Sequence, residues 1–585
     1  MTRANQTEKH DAGRRLAVLL IIIALGFSLR AVSLVRHHLP EADGAATTLE
    51  VATHLNQGQG YTTNRKWLFF DRHQGFPIPE GNRQPLLPLL VALLFLVTGP
   101  SHAAAQWLVL GCGLLLIPMV YLLGRRLYGA RSGLLAALFT ALSPAQVWFG
   151  SMVEDQVFFQ LGFILLLLLW YRWWAAGASV SRSRALPFLV MGGVAGLAWL
   201  ARPNGLLLTA ALALSIPLVI SSVPNWKNRR YKVAAGLACL ALVGFLAVST
   251  SWMVRNTLVF GSPFHTHNSY LMAVDVPDEV ASLRDGAPSA GSWLAENGMG
   301  RAVVRWSRGA FRSLDAFISG NLFRAEAARQ GGMAVFLLLA LAAWRWGVRR
   351  PAPWWRYHAL PLAAFGLHFL TVSWYVRGEL RYFLPFYLLL YPAAARGVLV
   401  LSGLEDTERP SGAGAPPRPP WLRPGRSPIL LALLLLLLLA TFVRPLGLTL
   451  AFDDREEAGR VTAAADWIVG NTEPGTVIMD LPTVSNLIYL YDRPTVVIPY
   501  GPLEDTFEAA RRFNVEYLVV SARSVDWRPG LKQFWEADGE QVRLRDPAPN
   551  FLNPVWIGDD SRIVITRFYP ARYHSTMLRE RPHSR

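Results

Sequence analysis

The sequence predicts a polytopic α-helical membrane protein with about 11 spans and a C-terminal α/β domain outside the bilayer. Three observations carry this prediction. Of 585 residues, 52% are hydrophobic and 17% are charged, whereas a soluble chain of this size carries about a quarter charged residues. Apolar runs recur from residue 16 to residue 446, and several reach the roughly 20 residues that a helix needs to cross a bilayer. Beyond residue 447, short β-type runs alternate with helical ones. Runs such as "LLALLLLLLLATFV" have no strand-like alternation, which excludes a closed β-barrel.

The formal net charge is +17. Lys and Arg lie mostly between apolar segments, so topology explains the excess and nucleic acid is not an expected partner. Cys112 and Cys239 fall inside apolar runs and read as packing residues. The first run has basic flanks and no small-residue cleavage signal, so it is expected as a retained span. No Asn-x-Ser/Thr sequon occurs beyond the N-terminal tail, consistent with a bacterial cell (inner) membrane protein.

Basic loops orient the chain. They are the N-terminus (Arg3, Lys9, Arg14, Arg15) and residues 124–131, 171–184, 225–232, 345–356 and 409–426. If all are cytoplasmic, an even number of spans separates each from the next. Residues 85–98, "PLLPLLVALLFLVT", are too short for a crossing and hold two prolines. Counting them would place every later basic loop outside, so they are expected as a juxtamembrane element. The expected spans are 16–35, 105–123, 132–149, 156–172, 186–201, 205–222, 233–252, 332–348, 358–375, 382–402 and 428–446. A cytoplasmic tail (1–15) precedes the transmembrane domain (16–446), and residues 447–585 form the extracytoplasmic domain. Two long loops, 36–104 and 253–331, then lie outside. In the tail, "TVIMDL", "PTVVIP" and "VEYLVV" alternate with helical patterns, predicting a small α/β unit with a mainly parallel sheet.

Ionisable residues cluster at the outer ends of these spans: Glu41, Asp43, Arg83, Glu154, Asp155, Arg202, Arg255, Arg377 and Arg381. Charges at membrane depth are costly and point to function. Arginine suits bidentate phosphate recognition, and a carboxylate suits a general base. Each also has a plainer role. An Arg at a helix end snorkels to head groups, Glu154 and Asp155 would favour a helix N-terminus, and Asp43 would be a solvated loop residue. His265 and His267 lack a third metal ligand and read as surface residues. Arg301, Arg305, Arg308 and Arg312 line one face of a helix whose other face holds Val304, Phe311, Leu314 and Ile318. That pattern reads as an interfacial helix, with lipid-phosphate binding as the sharper form. The stretch "TTLEVATHLNQGQGY" reads as a surface-lying helix with a Gly-rich stop.

Collectively the motifs resemble the GT-C superfamily of polyprenyl-phosphate-sugar-dependent glycosyltransferases. The likeness is to the protein-mannosyltransferase-like branch that includes aminoarabinose and galacturonic acid transferases. It covers nearly the whole chain: an Asp after span one, "LNQGQGY", "RQPLLP", "LGRRLYGARSGLLAALFTALSP" leading into "VED", then "ARPNG", "VRNTLVFGSPF" and "LRYFLPFYLLLYPAAARG". The resemblance implies a GT-C fold and inverting sugar transfer to an acceptor hydroxyl of a lipid, glycan or protein. The catalytic base would be Asp43 or Glu41. Asp43 lies nearer the family's spacing to "ATHL", but here the acids are separated as Glu-Ala-Asp. Arg83, Arg255 and Arg381 would stabilise the polyprenyl-phosphate leaving group. Glu154 or Asp155 would orient substrate or help hold a divalent cation; no resident metal or cofactor is otherwise expected. A transporter or flippase of lipid-linked sugars is the alternative. It explains the spans and arginines, but not the acids joined to a long structured first loop. A membrane anchor for the α/β tail needs no buried charge and fits least well.

Overall fold

The computed structural model describes residues 3–40, 44–70, 73, 75–175, 182–220, 230–319, 333–344, 357–375, 380–404, 428–481, 493–570 and 572–573. Glu41, Asp43 and Arg377 lie outside the described residues, as does most of the basic-loop sequence at 176–181, 221–229, 345–356 and 405–427.

Helices dominate because apolar backbone can satisfy its own amides only in a helix or a closed barrel. In order they are α1 (Arg3–Leu34), α2 (Ala45–Asn56), α3 (Leu86–Thr98), α4 (His102–Tyr128), α5 (Ala130–Leu142), α6 (Pro144–Phe149), α7 (Gln156–Ala175), α8 (Arg182–Ala201), α9 (Gly205–Ile220), α10 (Arg230–Phe260), α11 (Ala290–Ser319), α12 (Met333–Ala342), α13 (Ala359–Trp374), α14 (Leu384–Leu401) and α15 (Pro428–Ala451). Among the described residues, 6 helices are long and apolar enough to cross a membrane, and shorter apolar helices accompany them. Each segment expected as a span overlaps one or two of these helices. The remaining short apolar helix is α3, 13 residues over the segment expected as juxtamembrane. Leu87, Val91 and Phe95 are buried while Leu89, Leu93, Leu96 and Val97 are exposed, so α3 rests on the bundle and turns an apolar face outward.

Two expectations change. Residues 132–149 are not one helix: Ser143 is extended at ψ 118° and caps α6 by accepting from the Gln146 amide. Proline at 144 pushes its predecessor out of the helical region and has no amide to continue the ladder. The second change concerns α2, which is interior rather than surface-lying, with Ala45–Ala52 and His54 buried. Its polar side chains find partners in the loop that folds over it. Its Gly-rich stop is as expected: Gly58 and Gly60 take φ of 76° and 79°.

Small residues set the helix contacts. A Cβ on Gly192 of α8 would lie 1.8 Å from the Ala241 carbonyl oxygen of α10, and one on Gly244 would lie 1.9 Å from the Leu189 carbonyl oxygen. This is the close backbone approach expected when no hydrophobic effect drives helices together in lipid. A kink at Gly298, φ 74°, divides α11. Beyond it Met299, Val303, Phe311 and Leu314 are exposed on one side, Arg301, Arg308 and Arg312 on the next, and Ala302, Gly309, Ser313 and Ala316 are buried on the third. That is the amphipathic pattern read from the sequence, except that Arg305 is half-buried and pairs with Asp275 at 3.1 Å instead of joining the exposed arginines.

The C-terminal region forms a six-stranded sheet of order β2-β5-β4-β6-β10-β9. The first strands are β1 (Thr62–Thr63), β2 (Arg65–Lys66) and β3 (Ile78–Pro79), with β1 and β3 paired antiparallel. Then follow β4 (Val477–Asp480), β5 (Thr495–Val497), β6 (Val515–Ser521), β7 (Trp535–Asp538), β8 (Gln541–Leu544), β9 (Leu552–Ile557) and β10 (Ile563–Phe568). Strands β2, β5, β4 and β6 are parallel, and β10 and β9 join antiparallel. The expected strands at "VIMD", "TVV" and "VEYLVV" are present. The edge strand β2 comes from the first long loop, so the sheet is not built from the C-terminal region alone. Helix α16 (Arg455–Asn471) covers one face through Val461, Ala464, Ala465 and Ile468. Helix α17 (Leu503–Arg512) covers the other through Phe507, Ala509 and Ala510. Alternate residues of β6, Tyr517 and Val519 against Leu518 and Val520, serve the two faces.

Gly192→Leu is expected to cost about 1–3 kcal/mol, because the blocking atom is a backbone oxygen that cannot rotate away. The apparent unfolding temperature in detergent should fall; a wild-type melting curve would contradict this account of the α8–α10 contact.

Candidate active site

The chain leaves α1 at Leu34, and its next helix begins after Gly44. Gly44 sits directly on a buried carboxylate. A Cβ there would lie 1.9 Å from Glu154 Oε1 and 3.3 Å from Arg83 Nη2. A side chain here would displace the Glu154 carboxylate, so glycine lets the backbone at 44 sit against Glu154 and Arg83. Glu154 is 3% exposed, and its Oε2 lies 4.0 Å from Arg83 Nη1.

Glu154 and Asp155 occupy the turn between α6 and α7, at the amide end of α7, where the helix dipole favours negative charge. Both carboxylates face arginines. Arg202, just past the end of α8, donates to Asp155 Oδ1 at 2.5 Å. The Gln156 amide, oriented to satisfy both ends, accepts from Arg202 Nη1 at 2.6 Å and donates to the Arg381 carbonyl at 3.2 Å. Burial pushes the Asp155 carboxyl above the ordinary carboxylate range; Arg202, Arg83 and Arg381 oppose that rise, and Glu154 adds to it.

The Arg83 loop is fastened from beneath. Buried Glu80 accepts from the Arg83 amide at 2.9 Å and from the Asn82 amide. Burial raises the Glu80 carboxyl, against these two amides. Tyr61 donates its hydroxyl to the Arg83 carbonyl at 3.1 Å. On the other side of Tyr61 stands Arg255, from the end of α10. Its guanidinium lies 4.7 Å from the Trp252 ring centre, 5.0 Å from Phe260 and 5.2 Å from Tyr61. It donates to the Tyr61 carbonyl at 3.2 Å.

The fold thus brings Arg83, Glu154, Asp155, Arg202 and Arg381 into one cluster, with Arg255 one aromatic ring away. Glu41 and Asp43 are outside the described residues, between Pro40 and Gly44. Sequence reasoning missed Glu50, Tyr61, Glu80 and Gln156. Only Glu50 carried a legible signal, a lone acid among buried-type positions of a helix. His265 and His267 are corrected from surface residues to members of an aromatic cluster: His265 stacks on Phe260 at 4.1 Å, and His267 is 4% exposed. They pack there because the 3₁₀ turn His267–Met272 folds onto the loop at Gly81, whose carbonyl accepts from the His267 amide.

Residues 82–252 match the sequence model of the family described as dolichyl-phosphate-mannose-protein mannosyltransferase. Solved structures superpose on most of the chain. The oligosaccharyltransferase AglB from Archaeoglobus fulgidus, in complex with an inhibitory peptide and a dolichol-phosphate, does so with TM-score 0.56 and 13% identity, over 94% of this chain and 76% of that one. The A. fulgidus oligosaccharyltransferase in complex with Zn and sulfate gives 0.57 and 12%, over 88% and 71%. ArnT from Cupriavidus metallidurans bound to undecaprenyl phosphate gives 0.51 and 15%, over 94% and 97%. The fold is GT-C. No curated protein matches the sequence at a significant level.

Among the described residues, one group of three side chains has metal-ligand spacing: His38, Asp453 and Asp454, with donor atoms within 4.8 Å of one another. It does not fit a cation. Asp454 gives both oxygens to the His38 and Leu39 amides, and the His38 ring nitrogen faces Arg455 Nε at 3.5 Å. In the cluster itself Arg83 faces Glu154 and Arg202 pairs with Asp155.

Glu50 supplies a pH test of the helix behind the site. It is 3% exposed, and it accepts from Thr63 Oγ1 and the Asn64 amide, both at 2.6 Å. Burial outweighs these bonds and pushes its carboxyl from 4.5 up to about 7. The folded state therefore holds this proton more tightly than the open chain. Its contribution to stability is whole below pH 4.5 and lost as pH rises through about 7. Glu50→Gln should flatten that part of the stability–pH curve in thermal unfolding across pH 4.5–8. Parallel curves for the two proteins would contradict the shifted carboxyl.

Proposed function

We propose that this integral membrane protein is a glycosyltransferase that moves a sugar from a polyprenyl-phosphate donor to an acceptor hydroxyl, with inversion at the anomeric carbon. The observation that carries the reading is the seat of Gly44 on Glu154 and Arg83, which sets the acid segment beside a cluster richer in arginine than in carboxylate. Arg83, Arg202 and Arg381 stand near the carboxylates of Glu154 and Asp155, and Arg255 stands by Tyr61 and Glu80, four guanidiniums to three carboxylates. That surplus suits a phosphate whose negative charge grows as the sugar leaves. The fold likeness agrees, since the GT-C structures above hold dolichol-phosphate and undecaprenyl phosphate.

In this mechanism Asp43 takes the proton of the acceptor hydroxyl as its oxygen attacks the anomeric carbon. The carbon–oxygen bond to phosphate breaks, and its electron pair stays on the polyprenyl phosphate. Arg83, with Arg255 and Arg381, receives that charge. Asp155 holds Arg202 in place, and Glu154 orients Arg83 and the backbone at Gly44. Loop charge parity supports an extracytoplasmic site and C-terminal sheet, in a bacterial cell membrane on this reading. The carboxylate–arginine contacts make leaving-group stabilisation a task of arginine rather than of an ion.

Asp43→Asn should lower single-turnover transfer from a polyprenyl-phosphate sugar by about 10²–10⁴-fold, the usual contribution of a positioned base. Arg83→Gln should lower it by about 10²–10³-fold, as for loss of one preorganised donor. Wild-type transfer by folded Asp43→Asn would remove that residue from the mechanism. Transport of lipid-linked sugar without turnover would favour a flippase.

Chelation gives a separate test. Turnover should survive EDTA within about twofold, because the arginines already supply charge stabilisation. A loss restored by added divalent metal would place a cation at Glu154 or Asp155.

A further inference from the structure

Helix α11 takes no part in the proposed reaction. Beyond the kink at Gly298 it carries four arginines, Arg301, Arg305, Arg308 and Arg312, against a single acid, Asp315. The fold divides these arginines into two kinds. Arg305 is used internally. It donates to Asp275 Oδ1 at 3.1 Å and to the Val274 carbonyl at 2.8 Å, and its guanidinium lies 4.6 Å from the Trp293 ring centre and 5.6 Å from that of Trp374. Arg301, Arg308 and Arg312 are exposed instead.

Three contacts fix where this helix lies. Trp306 donates to the Leu370 carbonyl of α13 at 3.2 Å. A Cβ on Gly309 would lie 1.8 Å from the Ser373 carbonyl oxygen, so the two helices touch backbone to backbone. Trp293 packs at 5.8 Å on Trp374, the last residue of α13. Helix α11 is therefore held at the end of an apolar helix whose Leu362 and Leu370 are exposed. In an integral membrane protein such a surface meets lipid. Beside it α11 exposes Val303, Val304, Leu314 and Phe311, the last at 75%. Acyl chains account for so open a phenylalanine. Arg301 and Arg308 each lie one turn from Val304, and Arg308 lies one turn from Phe311 and from Arg312. The arginine edge thus borders the apolar face. With that face among acyl chains, the guanidiniums stand at the depth of lipid phosphate groups.

We propose that the edge formed by Arg301, Arg308 and Arg312 binds the phosphate groups of anionic phospholipids in the surrounding bilayer. Charge complementarity selects this occupant. Three exposed guanidiniums beside an apolar face match a molecule that joins a net negative headgroup to acyl chains. A zwitterionic headgroup brings its own cation and gains less. The cluster proposed for the donor is built differently, since the Arg83 and Arg202 side chains are only 16% and 12% exposed and face carboxylates. The test uses the full-length protein in detergent, with dioleoyl phosphatidylglycerol or dioleoyl phosphatidylcholine added, and native mass spectrometry to count retained lipid. The wild type should prefer phosphatidylglycerol by about tenfold or more, and salt should weaken that preference. The triple variant Arg301→Gln, Arg308→Gln, Arg312→Gln should bind phosphatidylglycerol about 10–100-fold more weakly, from roughly fivefold per arginine at an anionic surface. Its phosphatidylcholine binding should not change. Should the triple variant fail to fold, Arg308→Gln alone should show the roughly fivefold loss. Hydrogen exchange over residues 299–319 should be slower in phosphatidylglycerol than in phosphatidylcholine nanodiscs, and the difference should vanish in the variant. Arg83→Gln should keep the wild-type lipid preference. Equal retention of the two lipids by the wild type, or an undiminished preference in the variant, would overturn the proposal. A preference lost in Arg83→Gln and kept in the triple variant would also overturn it, because the lipid would then sit at the donor cluster.

Discussion

The missing side chain at residue 44 is the constraint on which the site depends. Because Gly44 has no Cβ, the first long loop closes on the Glu154 carboxylate and the Arg83 guanidinium. Everything downstream follows from that closure. Helix α2 starts there and runs inward, its Glu50 holds the turn at Thr63 and Asn64, and that turn continues into the edge strand of the C-terminal sheet. One glycine thus joins the membrane bundle, the acid segment and the sheet.

The cluster also shows how a membrane protein keeps many charges together. Isolated buried ions are costly, and paired ones survive when each finds a counter-charge or several hydrogen bonds. Here Asp155 has Arg202, Glu154 faces Arg83, and Glu80 has two backbone amides. Arg255 is surrounded by three aromatic rings and carries no ion-pair distance to a carboxylate among the described contacts. Arg30, near the C-terminal end of α1, is fully buried and donates to the Gly26, Thr140 and Ala141 carbonyls. The last two lie at the C-terminal end of α5, where the helix dipole favours a cation. Arg30 therefore holds α1 to α5.

Much of this was legible beforehand. Helix positions follow from apolar runs, because backbone in lipid must pair with itself. The strands at Val477–Asp480, Thr495–Val497 and Val515–Ser521 follow from β-branched runs between polar turns. The charged residues at span ends stood out because such positions are expensive, and Arg83, Glu154, Asp155, Arg202 and Arg381 meet in space. What was not legible depends on contacts between distant segments. Two residues, Arg65 and Lys66, make a strand only because β5 offers an edge. The burial of α2 comes from the chain folding over it, so its mixed composition read as a surface helix. Glu80 and Asp454 carry no sequence signal; only the fold brings the Asn82 and Arg83 amides to the one and the His38 and Leu39 amides to the other.

The central claim is that the arginine cluster beside Gly44 receives the phosphate of a polyprenyl donor. A cryo-EM structure of the protein in nanodiscs with polyprenyl phosphate bound tests it most directly. The account predicts phosphate density in hydrogen-bond reach of Arg83 and of at least one of Arg202, Arg255 and Arg381, next to the segment that ends at Gly44. Phosphate density at another place, with Arg83 still closed on Glu154 and Arg202 on Asp155, would contradict it.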